Sequence, residues 1–134
     1  MRKIEHIGIA VQNIEASNEL FTKIFGKESY KSESVESESV ITSFFQVGES
    51  KIELVAATNQ DSPIAKYLTN NREGMHHIAF DVEDINAEMK RLQSEGIRTL
   101  TDQPKQGADN KLICFLHPKD TNGVLIELCQ EIER

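Results

Sequence analysis

Met75-His76-His77-Ile78-Ala79-Phe80-Asp81-Val82-Glu83-Asp84-Ile85-Asn86-Ala87 repeats, in outline, an earlier stretch, Glu5-His6-Ile7-Gly8-Ile9-Ala10-Val11-Gln12-Asn13-Ile14-Glu15-Ala16. His6 aligns with His77, Ile7 with Ile78, Val11 with Val82, Ile14 with Ile85 and Ala16 with Ala87, all at an offset of 71. A second echo lies downstream in each half, Ile52-Glu53-Leu54 against Ile126-Glu127-Leu128, at an offset of 74. The chain therefore reads as two copies of one unit, each supplying one His and one Glu. Two copies at so long a period indicate a duplicated module rather than a solenoid.

Within each copy the hydrophobic period changes in the same order. Residues 4–11 alternate, with Ile7, Ile9 and Val11 on one face and His6, Gly8 and Ala10 on the other, the period of two of a strand. This predicts a greasy packed face and a second face open to a cavity. Ala16, Leu20, Phe21, Ile24 and Phe25 then follow helical spacing, with Asn13 as cap and Gly26 as stop. Residues 28–39 are polar and read as a strand followed by an exposed loop. Two strands follow, Val40–Val47 and Lys51–Ala56, joined by Gly48-Glu49-Ser50. The first copy is βαβββ.

Ser62-Pro63-Ile64-Ala65-Lys66-Tyr67-Leu68 predicts a connecting helix, with Ser as cap and Pro in the first turn. The second copy puts His77, Ala79 and Asp81 on one face of its first strand, and Ile78, Phe80 and Val82 on the other. Asp84 caps a helix carrying Ile85, Met89 and Leu92, which stops at Gly96. Strands are expected near 97–101, 111–117 and 123–129, with turns at Gly107 and Asn122-Gly123. The expected fold is α+β: two tandem βαβββ modules forming a curved mixed sheet around a metal-binding cavity. It is a single domain over 1–134, with module one at about 1–57, the connecting helix and linker at 58–74, and module two at 75–134.

Composition sets the outer bounds. At 134 residues the chain is long enough to bury a real core. Its 38% hydrophobic and 28% charged residues are ordinary for a water-soluble globular protein. A net charge of -7 argues against nucleic acid as main partner, since phosphate binding wants clustered Lys and Arg. No apolar run approaches the ~18 residues that span a bilayer. Cys114 and Cys129 sit in apolar strands without a dense cysteine pattern, so buried free thiols are expected. A strand is expected almost from the first residue, so no targeting segment is expected ahead of the fold and the cytoplasm is the expected location.

His6 and His77 lie on the first strand of each copy, Glu53 and Glu127 on a later one, each opposite its aliphatic neighbours. Curled around a common cavity, these four side chains converge. A lone His in a strand is usually a satisfied structural residue, and a Glu between aliphatics is often just the wet half of an alternating strand. The same two types at equivalent places in both halves point instead to a metal site. Two imidazoles and two carboxylates suit a divalent first-row ion and leave two of six positions open to water or substrate oxygens, the arrangement of a Lewis acid. His76 competes with His77, but the repeat selects His77 and alternation turns His76 to the other face. His117 falls outside the repeat.

The paired modules with His6, Glu53, His77 and Glu127 resemble the vicinal oxygen chelate superfamily, which includes glyoxalase I, extradiol dioxygenases and bleomycin-resistance proteins. Within it, the run Phe115-Leu116-His117-Pro118-Lys119-Asp120-Thr121-Asn122-Gly123-Val124-Leu125-Ile126-Glu127-Leu128 is similar to methylmalonyl-CoA epimerases, as are Ser62-Pro63-Ile64-Ala65 and Gly74-Met75-His76-His77-Ile78. The resemblance covers essentially the whole chain. It implies metal-dependent epimerisation of methylmalonyl-CoA, an acyl-CoA thioester, by removal and return of the α-proton through a metal-stabilised enolate. It also implies one divalent metal per chain, with cobalt, zinc, manganese, nickel and magnesium all open, and a homodimer. His6, Glu53, His77 and Glu127 would be the ligands, and Glu127 and Glu53 the catalytic bases on opposite faces of the α-carbon. Some relatives carry a further glutamate on the strand before the hairpin; here Val40-Ile41-Thr42-Ser43-Phe44 has none, and Glu36 and Glu38 lie just outside. Lys105, Lys111 and Lys119 are candidates for the substrate carboxylate or the CoA phosphates.

The first rival is a glyoxalase I-type lactoylglutathione lyase, which needs the same metal and the same proton shuffle; the C-terminal run favours the epimerase. The second is a metal-free protein that sequesters a small molecule, as in drug resistance, although such proteins commonly lose the ligand set intact here. An iron dioxygenase fits less well, because its site takes one carboxylate rather than two.

Overall fold

The computed structural model describes residues 1–132. Among them are eight strands and three α-helices, in the order strand, helix, three strands, connecting helix, strand, helix, three strands. This is the α+β pattern of two tandem βαβββ modules. The chain gathers into two compact units, one of Met1–His6 with the chain from His77 on, the other of Ile7–His76. The first strand, β1 (Lys3–Ala10), contributes its opening residues to one unit and its closing residues to the other.

In the Ile7–His76 unit, helix α1 (Ile14–Phe25) forms where the spacing places it. Asn13 Oδ1 accepts the Ala16 amide at 3.0 Å, and Gly26 closes the last turn at φ 71°, a left-handed conformation that glycine adopts without strain. The strands β2 (Lys31–Val35), β3 (Val40–Val47) and β4 (Ser50–Ala57) form an antiparallel meander, with Lys31 opposite Phe44 and Phe44 opposite Glu53. The stretch expected as an exposed loop after β2 is a short 3-10 turn, Glu36–Glu38. The end of β1 lies beside β4, with the Val11 amide on the Val55 carbonyl at 2.9 Å. Val11, Phe45, Leu54 and Ala56 form a core that Phe21 and Phe25 of α1 flank. Ala10, Val40, Val55 and Ile64 form a second, which brings in the connecting helix α2 (Pro63–Asn70). Ser62 caps α2 from a fully buried position, its Oγ 3.1 Å from the Ile64 amide.

In the other unit, β5 (Gly74–Asp81) runs parallel to β8 (Ile126–Glu131), while β7 (Lys111–Phe115) is antiparallel both to β8 and to β6 (Lys105–Gly107). The sheet is therefore mixed. Helix α3 (Ile85–Ser94) is capped by Asp84 and buries Ile85, Met89 and Leu92 against Val82, Cys114, Leu116 and Leu128. The cysteines Cys114 and Cys129 are buried and free, and burial pushes the Cys114 thiol up from its usual range. Gly107 sits close to Ile113: a Cβ there would lie 2.8 Å from the end of the Ile113 side chain, which would have to shift to admit it.

Two expectations are corrected. No strand forms at 97–101; Thr99 makes only an isolated bridge to Leu116, and the strand of that region is β6. Two backbone bonds form, Leu100 N–H to the Phe115 carbonyl and His117 N–H to the Arg98 carbonyl, both at 2.8 Å, but the pairing stops there because a side chain takes the Arg98 amide. The Asp120 carboxylate holds the Arg98 amide at 2.9 Å, and the Thr99 hydroxyl donates to the Thr101 carbonyl. Pro104, with no amide hydrogen, then interrupts any continuation. On β1, the predicted open face is the better buried one: His6, Gly8 and Ala10 are buried while Ile7 and Ile9 are only half-buried.

Candidate metal centre and active site

Strand register brings His77 and Glu127 together. Ala79 pairs with Glu127 across the parallel β5·β8 ladder, and His77 precedes Ala79 by two residues, so all three share a face. Phe115 on β7 is the other neighbour of Glu127 in register, and its ring meets the His77 ring edge-on with centroids 5.9 Å apart. His6 enters from β1 with its ring perpendicular to that of His77.

The three side chains converge on one point. The Nε2 atoms of His6 and His77 are 3.1 Å apart, and Glu127 Oε1 lies 3.0 Å from the first and 3.4 Å from the second. Exposure is 7% for the His6 side chain and 6% for each of the others. Glu127 Oε1 is the one fully buried side-chain oxygen, among the described residues, that accepts no hydrogen bond. Such an oxygen is costly to bury unless something else compensates it. Bonds of about 2.1 Å at right angles put neighbouring ligand atoms about 3 Å apart, so the three spacings fit a first-row divalent ion held by two imidazoles and a carboxylate. The donor set fits such an ion as well.

Three of the four expected ligands are thus gathered within one unit. Glu53 lies on β4 in the other unit, 7% exposed and opposite Phe44, and its place in the set rests on the repeat. His76 goes elsewhere, its ring edge-on to Tyr67 at 4.7 Å. The stretch before the hairpin supplies Thr42 and Ser43, both buried, with Ser43 Oγ 2.5 Å from Asn18 Oδ1. Of the three lysines, Lys105 and Lys119 are exposed, whereas Lys111 is buried and donates to the Asp109 carbonyl at 3.3 Å. Glu5 went unnoticed in the sequence. It is 3% exposed and its Oε1 is 3.2 Å from Nδ1 of His6. The only signal was a carboxylate directly before the histidine, and alternation grouped it with the aliphatic face.

The C-terminal run is anchored locally. His117 Nδ1 accepts the Lys119 amide to cap a 3-10 turn, Pro118–Asp120. Arg98 grips Asp120 through Nε on Oδ2 at 2.9 Å and Nη2 on Oδ1 at 3.0 Å, which holds the Asp120 carboxyl well below the usual carboxylate range. A depressed folded pKa adds stability that is fully present above the unfolded value of about 3.9 and is lost as pH falls below it. Asp120→Asn should therefore be less stable than the parent at neutral pH, with the gap closing from about pH 4 downward. Urea midpoints taken at neutral pH and across the acid range check this; a gap that stays constant would contradict it.

Comparison with known proteins gives the family. The Glyoxalase/Bleomycin resistance protein/Dioxygenase superfamily profile matches residues 5–115. An ethylmalonyl-CoA/methylmalonyl-CoA epimerase of Cereibacter sphaeroides is 39% identical, covering 96% of this chain and 97% of its own. The mitochondrial methylmalonyl-CoA epimerase of Homo sapiens is 38% identical over 96% of this chain and 73% of its own. A solved methylmalonyl-CoA epimerase in complex with methylmalonyl-CoA and ammonium superposes with a TM-score of 0.94 at 36% identity, covering 98% of this chain and 95% of that one. With its duplicated modules and its His-His-Glu cluster, this chain belongs to the methylmalonyl-CoA epimerase family of the Glyoxalase/Bleomycin resistance protein/Dioxygenase superfamily.

Proposed function

We propose that the chain epimerises methylmalonyl-CoA, taking the α-proton from one face of the carbon between thioester and carboxylate and returning one to the other. The observation that carries this reading is the buried Glu127 oxygen that accepts no hydrogen bond yet faces two imidazole nitrogens. His6, His77 and Glu127 would hold one divalent metal, with Glu53 the fourth ligand by the logic of the repeat. When bound, the metal supplies positive charge beside the thioester oxygen, where negative charge develops as the proton leaves.

The chain's own residues do the rest. Glu127 is the base on one face, and its burial, opposite Phe115 in register, keeps bulk water from competing for the proton. Inversion needs proton exchange on the opposite face, and Glu53, the counterpart of Glu127 in the first module, is the proposed partner. The stretch Val40-Ile41-Thr42-Ser43-Phe44, matching the one where some relatives carry a further glutamate, has none, so no carboxylate within it competes for the role. The substrate is an acyl-CoA thioester, and exposed Lys105 and Lys119 are candidates to meet its phosphates. A homodimer working in the cytoplasm completes the proposal; among the described residues no helix is long and apolar enough to cross a membrane.

Proton NMR of metal-loaded protein with a single epimer of methylmalonyl-CoA in deuterated water tests it. The α-proton signal should disappear only when metal is present, as the other epimer accumulates. No exchange with this thioester, alongside exchange with a glutathione hemithioacetal, would transfer the site to glyoxalase chemistry.

A further inference from the structure

We propose that Glu5 is a positioning residue that fixes the tautomer of His6. This rests on the metal-binding reading of the site but uses geometry that reading does not. A neutral imidazole carries one proton, on Nδ1 or on Nε2, and the free side chain prefers Nε2. A proton on Nε2 would occupy the lone pair that His6 must offer to an ion shared with His77 and Glu127.

The surroundings of the ring select the other form. An ionised carboxylate can only accept, and Glu5 Oε1 lies 3.2 Å from Nδ1, deep in the unit, so the contact is made by an Nδ1 proton. On the opposite side, Glu127 Oε1 is only 3.0 Å from Nε2 and yet receives no hydrogen bond, because it lies off the direction in which an Nε2 proton would point. Nε2 of His6 instead meets Nε2 of His77 at 3.1 Å, a contact in which His6 is the acceptor once its own proton is on Nδ1. Glu5, His6, His77 and Glu127 all belong to one unit. Glu5 thus plays the part that a carboxylate or carbonyl behind a ligating histidine commonly plays, fixing ring orientation and raising the basicity of the ligating nitrogen.

The test uses the metal-free full chain labelled with 15N-histidine, at a pH where imidazoles are neutral. Long-range proton–nitrogen correlation should show His6 protonated at Nδ1 in the parent and in Glu5→Gln, whose amide oxygen still accepts, and at Nε2 in Glu5→Ala. Calorimetric titration with Mn²⁺ should show an affinity about 10–100-fold weaker for Glu5→Ala than for the parent, and a smaller loss for Glu5→Gln. An Nε2-protonated His6 in the parent overturns the proposal outright, even if Glu5→Ala does not fold. So does a Glu5→Ala protein that keeps both the parent tautomer and the parent affinity. A parent that shows the Nδ1 tautomer but binds no Mn²⁺ would instead overturn the metal reading, leaving the role of Glu5 toward His6 standing.

Discussion

Glu127→Gln should lower the rate of α-proton exchange by about 10²- to 10⁴-fold, the range general-base groups contribute. The substitution keeps the shape of a side chain whose surroundings are tightly drawn, with Phe115 and Ala79 on its flanking strands and two imidazoles in front. What it removes is the negative charge and the ability to take a proton. Because Glu127 is also a proposed ligand, the rate is to be measured at saturating metal, with metal affinity determined separately. A fall in turnover that persists at saturation assigns the proton transfer to Glu127; a fall that added metal fully restores leaves Glu127 a ligand alone. A sequestering protein of the same fold would behave differently, since it would hold the thioester undiminished whether or not residue 127 can accept a proton. Unchanged exchange in the variant would sink the mechanism.

How much of this could be read from the chain depends on the range of the interactions concerned. Helix α1 was legible because its signals are local: spacing within it, Asn13 before it and Gly26 after it. His77 and Glu127 were legible because duplication displays the pairing twice, and the parallel register then delivers them to one face. The segment 97–101 was misread because its fate is decided by Asp120, which bonds Arg98 across a separation of 22 residues that no periodicity records. The covering of β1 was misread for a related reason. Alternation separates Ile7 and Ile9 from His6 and Ala10, yet only the packing of other elements determines which side is sealed, and Ala10 is fully buried while Ile9 is not. Glu5 was invisible on the same account: a carboxylate beside a histidine looks solvated until the strand is seen to bury both.

Phe45→Ala should cost about 3–5 kcal/mol of stability, the range for deleting a buried phenylalanine ring. Phe45 is fully buried on β3, the middle strand of the β2-β3-β4 meander, among Val11, Leu54 and Ala56. Its ring is also the surface on which α1 rests. That helix has no buried residue of its own, and it touches the core through half-buried Phe21 and Phe25, whose ring centroids lie 6.5 and 5.3 Å from that of Phe45. Deleting the ring therefore leaves a cavity and removes the contact that holds a helix, so collapse around the gap should be poor. Against a typical total of about 5–15 kcal/mol the loss is a large fraction. It should appear as a lower urea midpoint and as faster hydrogen exchange across Ile14–Phe25. Leu20→Ala, on the exposed side of the same helix, should stay within about 0.5 kcal/mol of the parent. Equal losses from the two substitutions would mean that α1 is held by its outer face rather than by Phe45, and the packing argument would fall.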